Sequence, residues 1–286
     1  MPKIYILLPV HNRKEITRNF IECLKAQTFS DYKLILIDDG STDGTAEMVQ
    51  KNIPSATILR GTGDWWWAGS LQQGLNWLKK RQINPDSLIL FINDDVTFAS
   101  DYLECAVHVM ADKKGTLILS MYKSPDSDNI SESGVSADLR RLSFKIANSS
   151  EQINCLSTMG LFAYWTDICS IGNFHPILLP HYLSDYEYTV RAHKKGFKCK
   201  TNPSLLIVPN YSTPGYHQFN GDKFIDFLIK YFSKKSADNP LYWSLFILLT
   251  SELIWILPNL IRVWLRAGKT IIKAFIENIH LFVSVK

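Results

Sequence analysis

Residues 32–45 read YKLILIDDGSTDGT. Four consecutive aliphatic residues, Leu34 to Ile37, run directly into two aspartates and a turn of Gly, Ser, Thr and Asp. A strand with water on one face alternates apolar and polar side chains, whereas an unbroken apolar run requires burial on both faces, as in a parallel sheet covered by helices. Asp38 and Asp39 then stand at the strand's end, and Ser41 to Gly44 make the turn that caps the next helix. The same grammar recurs on either side. KIYILLPV (3–10) ends on His11-Asn12-Arg13, ATILRG (56–61) is a further run, and SLILFIND (87–94) brings Asn93-Asp94-Asp95 to its end. Helical patterns at about 14–27, 43–51, 68–81 and 101–113 lie between or after these runs. The alternation predicts an α/β fold with a doubly wound, mostly parallel sheet. Ligands of such sheets bind at the carboxyl ends of the strands, so three polar strand ends converge on one crevice.

The composition agrees with a folded chain. Of 286 residues 46% are hydrophobic, enough for a full core, and no low-complexity or repeated segment interrupts them. The five cysteines are scattered, with no CxxC pair, and no secretory segment precedes the first apolar run, so a reduced, cytosol-facing protein is expected. The net charge is +4, and from Leu260 onward five basic side chains face one acidic, which equals the whole excess. A nucleic-acid binder carries a broader basic surface, so nucleic acid is not expected as a partner.

From Thr116 the pattern is irregular. SPDSDNISESG (124–134) reads as a surface loop, Leu142 to Ile146 as a strand, SDYEYTVRAHKKG (184–196) as a helix stopping on Gly196, and SLLIVP (204–209) as the last strand. The segment from Leu241 to Leu265 is apolar enough to raise a membrane span. At 100° per residue, however, polar residues from Ser244 through Asn259, Arg262, Arg266, Lys269 and Lys273 to His280 fall on one face, with Pro258 expected to kink the helix. A spanning helix needs ~20 residues of little polarity. A helix lying in the membrane interface shows this two-sided pattern, with Trp243, Trp264, Phe246, Ile247 and Ile254 as the inserting residues. Packing on its own domain is the other reading.

Two motifs carry chemistry by themselves. A carboxylate at the end of the second strand can accept hydrogen bonds from a nucleobase or ribose, or serve only as a helix-capping turn. Adjacent carboxylates at the end of a buried strand are costly unless a cation, a donor or a substrate compensates them. A divalent ion bridging a diphosphate would do so, since Mg²⁺ is held by one or two carboxylates plus phosphate oxygens. The alternative is that Asn93 and Asp94 cap the following turn.

PVHNR (9–13), DDGSTDGT (38–45), GDWWWAGSLQQGL (63–75), FINDDV (91–96) and SDYEYTVRAHKKGF (184–197) resemble, in order and spacing, the family 2 inverting glycosyltransferases of the GT-A fold, of the bacterial polysaccharide-synthesis type. The resemblance covers roughly residues 3–210. It implies that Pro9, Asn12, Arg13, Asp39 and Asp64 line a nucleotide pocket, with Asp39 on the base. It implies further that Asp95 coordinates Mg²⁺ or Mn²⁺ and that Asp94 faces the ribose or sugar, with Asn93 at the first position of the family's DxD-like motif. SDYEYTVR resembles the family's EDxDLxxR segment, Ser184 replacing its Glu. Asp185 is then the catalytic base, Glu187 its second acid and Arg191 its Arg, the last two on the acceptor side. Trp66 and Trp67 would flank the donor sugar, and Gly160 would let the acceptor approach. Relatives place a metal-binding His after the last strand; here Asn210 stands there and His217 is the nearest candidate. The tryptophan-rich segment is similar to that of rhamnosyltransferases, which adds a deoxyhexose to the hexoses as a donor sugar.

The resulting expectation is a metal-dependent inverting transferase. It moves a sugar from a nucleoside-diphosphate donor to a hydroxyl of a lipid-linked or growing cell-surface glycan, from the cytosolic face of a membrane. Residues 1–235 would form the transferase domain, with a nucleotide half (1–115) and an acceptor half (116–235), and residues 236–286 the membrane-associating segment. A sugar-phosphate nucleotidylyltransferase would carry a Gly-rich loop where PVHNRKE stands. A non-catalytic, membrane-attached binding protein on the same fold would be marked by loss of Asp95 or Asp185, and both are present.

Overall fold

In the computed structural model, which describes residues 1–125, 127, 129–210 and 224–284, the apolar runs form the sheet that their continuity requires. The first half contains β1 (Ile4–Val10), α1 (Lys14–Lys25), β2 (Tyr32–Asp38), α2 (Thr45–Asn52), β3 (Thr57–Arg60), α3 (Trp66–Arg81), β4 (Leu88–Phe91), β5 (Val96–Thr97) and α4 (Tyr102–Met110). The second contains β6 (Thr116–Lys123), β7 (Ile130–Ser131), β8 (Val135–Asp138), β9 (Ser143–Ile146), β10 (Leu161–Tyr164), α5 (Trp165–Ile171), α6 (Ser184–Lys194) and β11 (Lys198–Pro209). Helices α7 (Phe224–Tyr231), α8 (Pro240–Thr250) and α9 (Leu253–Ser284) follow.

The main sheet has the order β3-β2-β1-β4-β10-β6-β11-β5, with β7 on β6, while β8 and β9 form a separate hairpin. Neighbours are parallel except that β10 runs antiparallel to both of its partners and β5 and β7 to theirs. Alternate residues of each central strand feed different cores. Ile6, Leu8, Leu34, Leu36, Leu88 and Leu90 meet α1, α2 and α4 on one face. Leu7, Ile35, Ile37, Ile89 and Phe91 meet α3, α5 and α6 on the other. Burial on both faces is why the runs show no polar alternation.

β1 pairs with β2 along its whole length but with β4 only through Leu7. The carboxyl ends of β1 and β4 therefore part where the strand order reverses, which is where an open α/β sheet makes its ligand crevice. The chain after Thr116 is more regular than expected: β6, β10 and α5 are added there, and the last strand begins six residues earlier, at Lys198. β10, four residues long, is inserted antiparallel between β4 and β6, a pairing that no local pattern announces.

The C-terminal segment differs from a single helical face. Asn239 caps α8 by accepting from the Leu241 amide, with Pro240 at the first helical position. Ser251 is extended, so the chain breaks and restarts as α9. Phe246 and Ile247, expected to insert in lipid, are 0% exposed; Phe246 packs with Leu179 and Leu183 ahead of α6 and against Phe144. Asn259, expected on the hydrated stripe, is also fully buried and donates to the Leu139 carbonyl at 2.7 Å. Among the described residues no helix is long and apolar enough to cross a membrane.

Candidate active site

Two loops at the strand ends are laced together. The Asn12 N–H donates to Ser41 Oγ at 2.9 Å and its Oδ1 accepts from the Thr42 N–H at 2.8 Å, with Asn12 in the left-handed region at φ 52°. Asp43 accepts from the Lys14 N–H (2.9 Å) and the Thr45 N–H (3.0 Å), so one carboxylate serves the N-termini of both α1 and α2. Asp38 is buried and accepts from the Ser41 N–H, and Pro9 is buried in β1. The helix-capping role of DDGSTDGT is therefore carried by Asp43, which leaves Asp39 to the crevice.

Asp39 accepts from the Gly63 N–H through Oδ1 and from the Trp66 N–H through Oδ2, each at 2.9 Å. An ionised carboxylate has about four acceptor positions, so roughly two remain. Gly61 permits this approach: a Cβ there would stand 2.6 Å from Asp39 Oδ1 and 2.8 Å from the Trp65 ring. Asp64 lies exposed between the two donors.

The acid pair after β4 has a cation of its own. Arg13 Nη2 lies 2.9 Å from Asp95 Oδ2 and Nη1 lies 3.3 Å from Asp94 Oδ1. Thr17 Oγ1, one turn further along α1, donates to Asp94 Oδ2 at 2.7 Å. Burial pushes the Asp94 carboxyl up to about 6, against the opposing pull of Arg13 and Thr17. Assigned to a nucleotide pocket on sequence, Arg13 stands in the structure on the aspartates, and Thr17 was not singled out at all. Their i,i+4 spacing, with Arg13 at the N-cap of α1 and Thr17 in its first turn, was the available signal. Asp95 Oδ1 and Asn93 Oδ1 are buried with no hydrogen-bond partner. The pair borders a cleft of about 460 Å³ lined by Asn19, Thr97 and Asn210 among others.

Those two orphaned oxygens are hard donors that fit a small divalent ion taking its remaining ligands from phosphate and water. No cluster of three or more His, Cys, Asp or Glu suited to a metal occurs among the described residues. His217 lies outside them.

The turn at 157–160 joins this cleft to α6. The Gly160 N–H donates to the Phe91 carbonyl at 2.9 Å, two residues before Asn93. Gly160 is at φ 89°, and an added Cβ would meet Ser120 at 3.0 Å and Ile207 at 3.3 Å. Packing against Ser120 and Ile207 therefore suffices by itself to require a glycine here. The Thr158 backbone supports the Asp185 carboxylate, and its hydroxyl accepts from Trp67 Nε1 at 3.0 Å.

Asp185 stands in the first turn of α6, entered through Leu183 in the left-handed region at φ 67°, a conformation that costs a non-glycine residue about 1 kcal/mol or more. Burial pushes its carboxyl up to about 6, although its Oδ1 accepts from the Tyr186 N–H at 2.9 Å. Ser184, where the resembling motif has Glu, is buried and donates to the His181 carbonyl at 2.6 Å. Glu187 and Arg191, expected on the acceptor side, bond to each other. Glu187 is 1% exposed and chelated by Arg191 (Nε–Oε1 2.6 Å, Nη2–Oε2 3.1 Å), and Arg191 also donates to the Ile171 and Asn173 carbonyls. They form a buried ion pair fixing α6 to the end of α5.

The three tryptophans divide. Trp65 and Trp67 pack on the apolar core, whereas Trp66, in the left-handed region at φ 56°, is set against His181 with ring centroids 5.8 Å apart. Trp66 Nε1 and His181 Nδ1 are both buried without a hydrogen-bond partner. Trp66 thus links Asp39 at the end of β2, through its N–H, to His181 in the segment ahead of α6.

The model of the family described as Glycosyl transferase family 2 matches residues 5–164. No curated protein matches the sequence. Among solved structures, TarS of S. aureus superposes with a TM-score of 0.59 at 17% identity, over 87% of this chain and 49% of that one. GalNAc-T7 with UDP, GalNAc and Mn²⁺ gives 0.63 at 11% identity, over 86% and 47%. The mannosyltransferase PcManGT from Pyrobaculum calidifontis, in complex with GDP-Man and Mn²⁺, gives 0.56 at 16% identity, over 99% and 81%. At these identities the likeness is one of fold, and the chain spans about half the length of the first two.

Proposed function

The chain belongs to glycosyl transferase family 2, and from that membership we propose an inverting transfer of a sugar from a nucleoside-diphosphate donor to a hydroxyl of a lipid-linked or growing cell-surface glycan. The observation that carries the reading is that the 157–160 turn bonds to the end of β4, ahead of Asn93-Asp94-Asp95, through Gly160 and to Asp185 through Thr158, two carboxylates in unlike settings. Asp95 keeps one oxygen unpartnered beside a cleft, and Asp185 is held by backbone amides with its carboxyl raised to about 6.

In this reading Asp39 accepts from the base, and Asn12 and the 61–65 loop complete the nucleotide pocket. Asp95 and Asn93 would hold Mg²⁺ or Mn²⁺, which when bound offsets the charge on the leaving diphosphate. Arg13 keeps the acid pair ordered, and Asp94 faces the ribose or sugar. Trp66 presents its ring to the donor sugar, and its Nε1, with His181 Nδ1, offers polar contacts to sugar hydroxyls. The acceptor oxygen attacks the anomeric carbon opposite the diphosphate while Asp185 takes the hydroxyl proton. A new glycosidic bond forms, the bond to phosphate oxygen breaks, and configuration inverts. A base of pKa about 6 is ionised at neutral pH yet basic enough to accept that proton. UDP, GDP-Man and Mn²⁺ in the GalNAc-T7 and Pyrobaculum complexes support a nucleotide-sugar donor and a divalent ion by analogy.

Thermal-shift screening of nucleoside diphosphates with and without Mn²⁺ tests the donor half, because a ligand of the native state stabilises by mass action without knowledge of the acceptor. A metal-dependent rise in Tm with one or more nucleotides is expected; indifference to all of them at millimolar concentration contradicts the reading.

A further inference from the structure

α9 has three faces. At 3.6 residues per turn, Asn259, Val263 and Ala267 point inward and are buried. Leu253, Leu257, Ile261, Trp264, Leu265 and Ile272 recur at intervals of three, four or seven along the opposite side and are 45–89% exposed. Arg266, Lys269 and Lys273 run between the two as an exposed row. At 1.5 Å per residue the stripe from Leu253 to Ile272 is about 29 Å long, a rail rather than a spot. α7, packed beside it through Phe224 on Phe275, adds Ile225 and Ile229, each more than half exposed. A row of exposed apolar side chains of this length marks an interaction site.

Charge complementarity decides what covers it. Along α9, Arg262, Arg266, Lys269 and Lys273 stand against a single acid of the helix, Glu277, and Arg262 and Arg266 line a cleft of about 150 Å³ in which Arg141 from the β8–β9 turn makes a third cation against one acid, Asp238. Apolar side chains including a tryptophan, edged by basic ones, match the boundary between acyl chains and anionic headgroups. We propose that α9 lies flat on an anionic lipid surface, with Leu253, Leu257, Ile261, Trp264, Leu265 and Ile272 inserted. Phe246 and Ile247, which periodicity alone assigned to this role, stay in the protein core. Because α8 packs on α6 through Phe246, the attachment holds Asp185 at a fixed height above that surface. The proposal rests on the lipid-linked acceptor of the reading above for its purpose, but its test requires no sugar transfer.

The full chain is sedimented with vesicles of phosphatidylcholine, with and without a third of phosphatidylglycerol, at low and high salt. Nucleotide-induced thermal shift reports folding in parallel. Wild type is expected to pellet with the anionic vesicles and to be released by salt, and a Leu257→Ser/Ile261→Ser/Leu265→Ser variant to stay in solution with its melting unchanged. Arg266→Gln and Lys269→Gln should each weaken partition about five-fold, the ordinary worth of one basic side chain at such a surface. The proposal is overturned if wild type ignores vesicles, if the triple variant pellets as well as wild type, or if the protein resists alkaline carbonate. It is equally overturned if analytical ultracentrifugation shows a dimer that the triple variant abolishes, which would make a second copy the occupant.

Discussion

Arg13 Nη2 lies 2.9 Å from Asp95 Oδ2 while the other oxygen of Asp95 has no partner. The residues are 82 positions apart, and their meeting lets two adjacent carboxylates exist at the end of a buried strand. One oxygen of Asp95 is fixed to the protein and the other is left without a hydrogen bond.

Arg13→Gln should therefore destabilise the ligand-free protein by about 1–3 kcal/mol, the range for losing a hydrogen bond to a charged group that stays buried. Urea unfolding in EDTA measures it, and Mn²⁺ with nucleoside diphosphate should restore part of the loss. An unchanged midpoint would mean that Asp94 and Asp95 need no compensation.

Asp95→Ala should weaken nucleotide binding and its response to divalent ions together, because one carboxylate is assigned both effects. Calorimetry with and without EDTA separates them. Nucleotide affinity indifferent to both the substitution and EDTA would remove Asp95 from the metal site.

Trp66 and Trp67 should respond in opposite ways. Trp66 occupies a left-handed backbone position, so Trp66→Gly relieves roughly 1 kcal/mol of strain and should leave stability little changed while weakening donor-sugar binding. Trp67→Phe loses the bond to Thr158 and should cost about 1 kcal/mol without entering the sugar site. Thermal denaturation alongside nucleotide-sugar affinity tests the pair; a reversed order would exchange their roles.

The pH dependence follows from Asp185. Its carboxyl is raised from the ordinary 3.8 to about 6 by burial, so the folded state holds a proton the unfolded chain releases. Ionising it in the folded state opposes folding. The contribution favours the fold below about 4 and is lost as pH rises through about 6. Asp185→Asn should consequently stabilise the protein at pH 7, by no more than about 3 kcal/mol, and give less advantage at pH 4. Transfer by wild type should fall about ten-fold per unit below pH 6. A stability difference independent of pH would show that the group is not held above its usual range.

Much of this was legible because burial on both faces writes itself into sequence. Leu34 to Ile37 and Leu88 to Phe91 are unbroken since alternate residues feed two cores, and the aspartates after them mark the crevice. β10 was not legible, because four residues between two antiparallel partners make a pattern only in the assembled sheet. The ion pair of Glu187 and Arg191 was legible in their i,i+4 spacing. In the C-terminal segment a single helical period was carried across Ser251, where the chain turns. Phe246 and Ile247 thereby joined a stripe that begins only after the break.

Asp185→Asn decides whether Asp185 takes the acceptor proton. Nucleoside-diphosphate release from a panel of nucleotide sugars is followed for wild type and variant, with donor affinity measured in parallel by calorimetry. Turnover should be lower by ~10²–10⁴-fold at unchanged donor affinity, the usual contribution of a general base. Turnover equal to wild type would contradict that role.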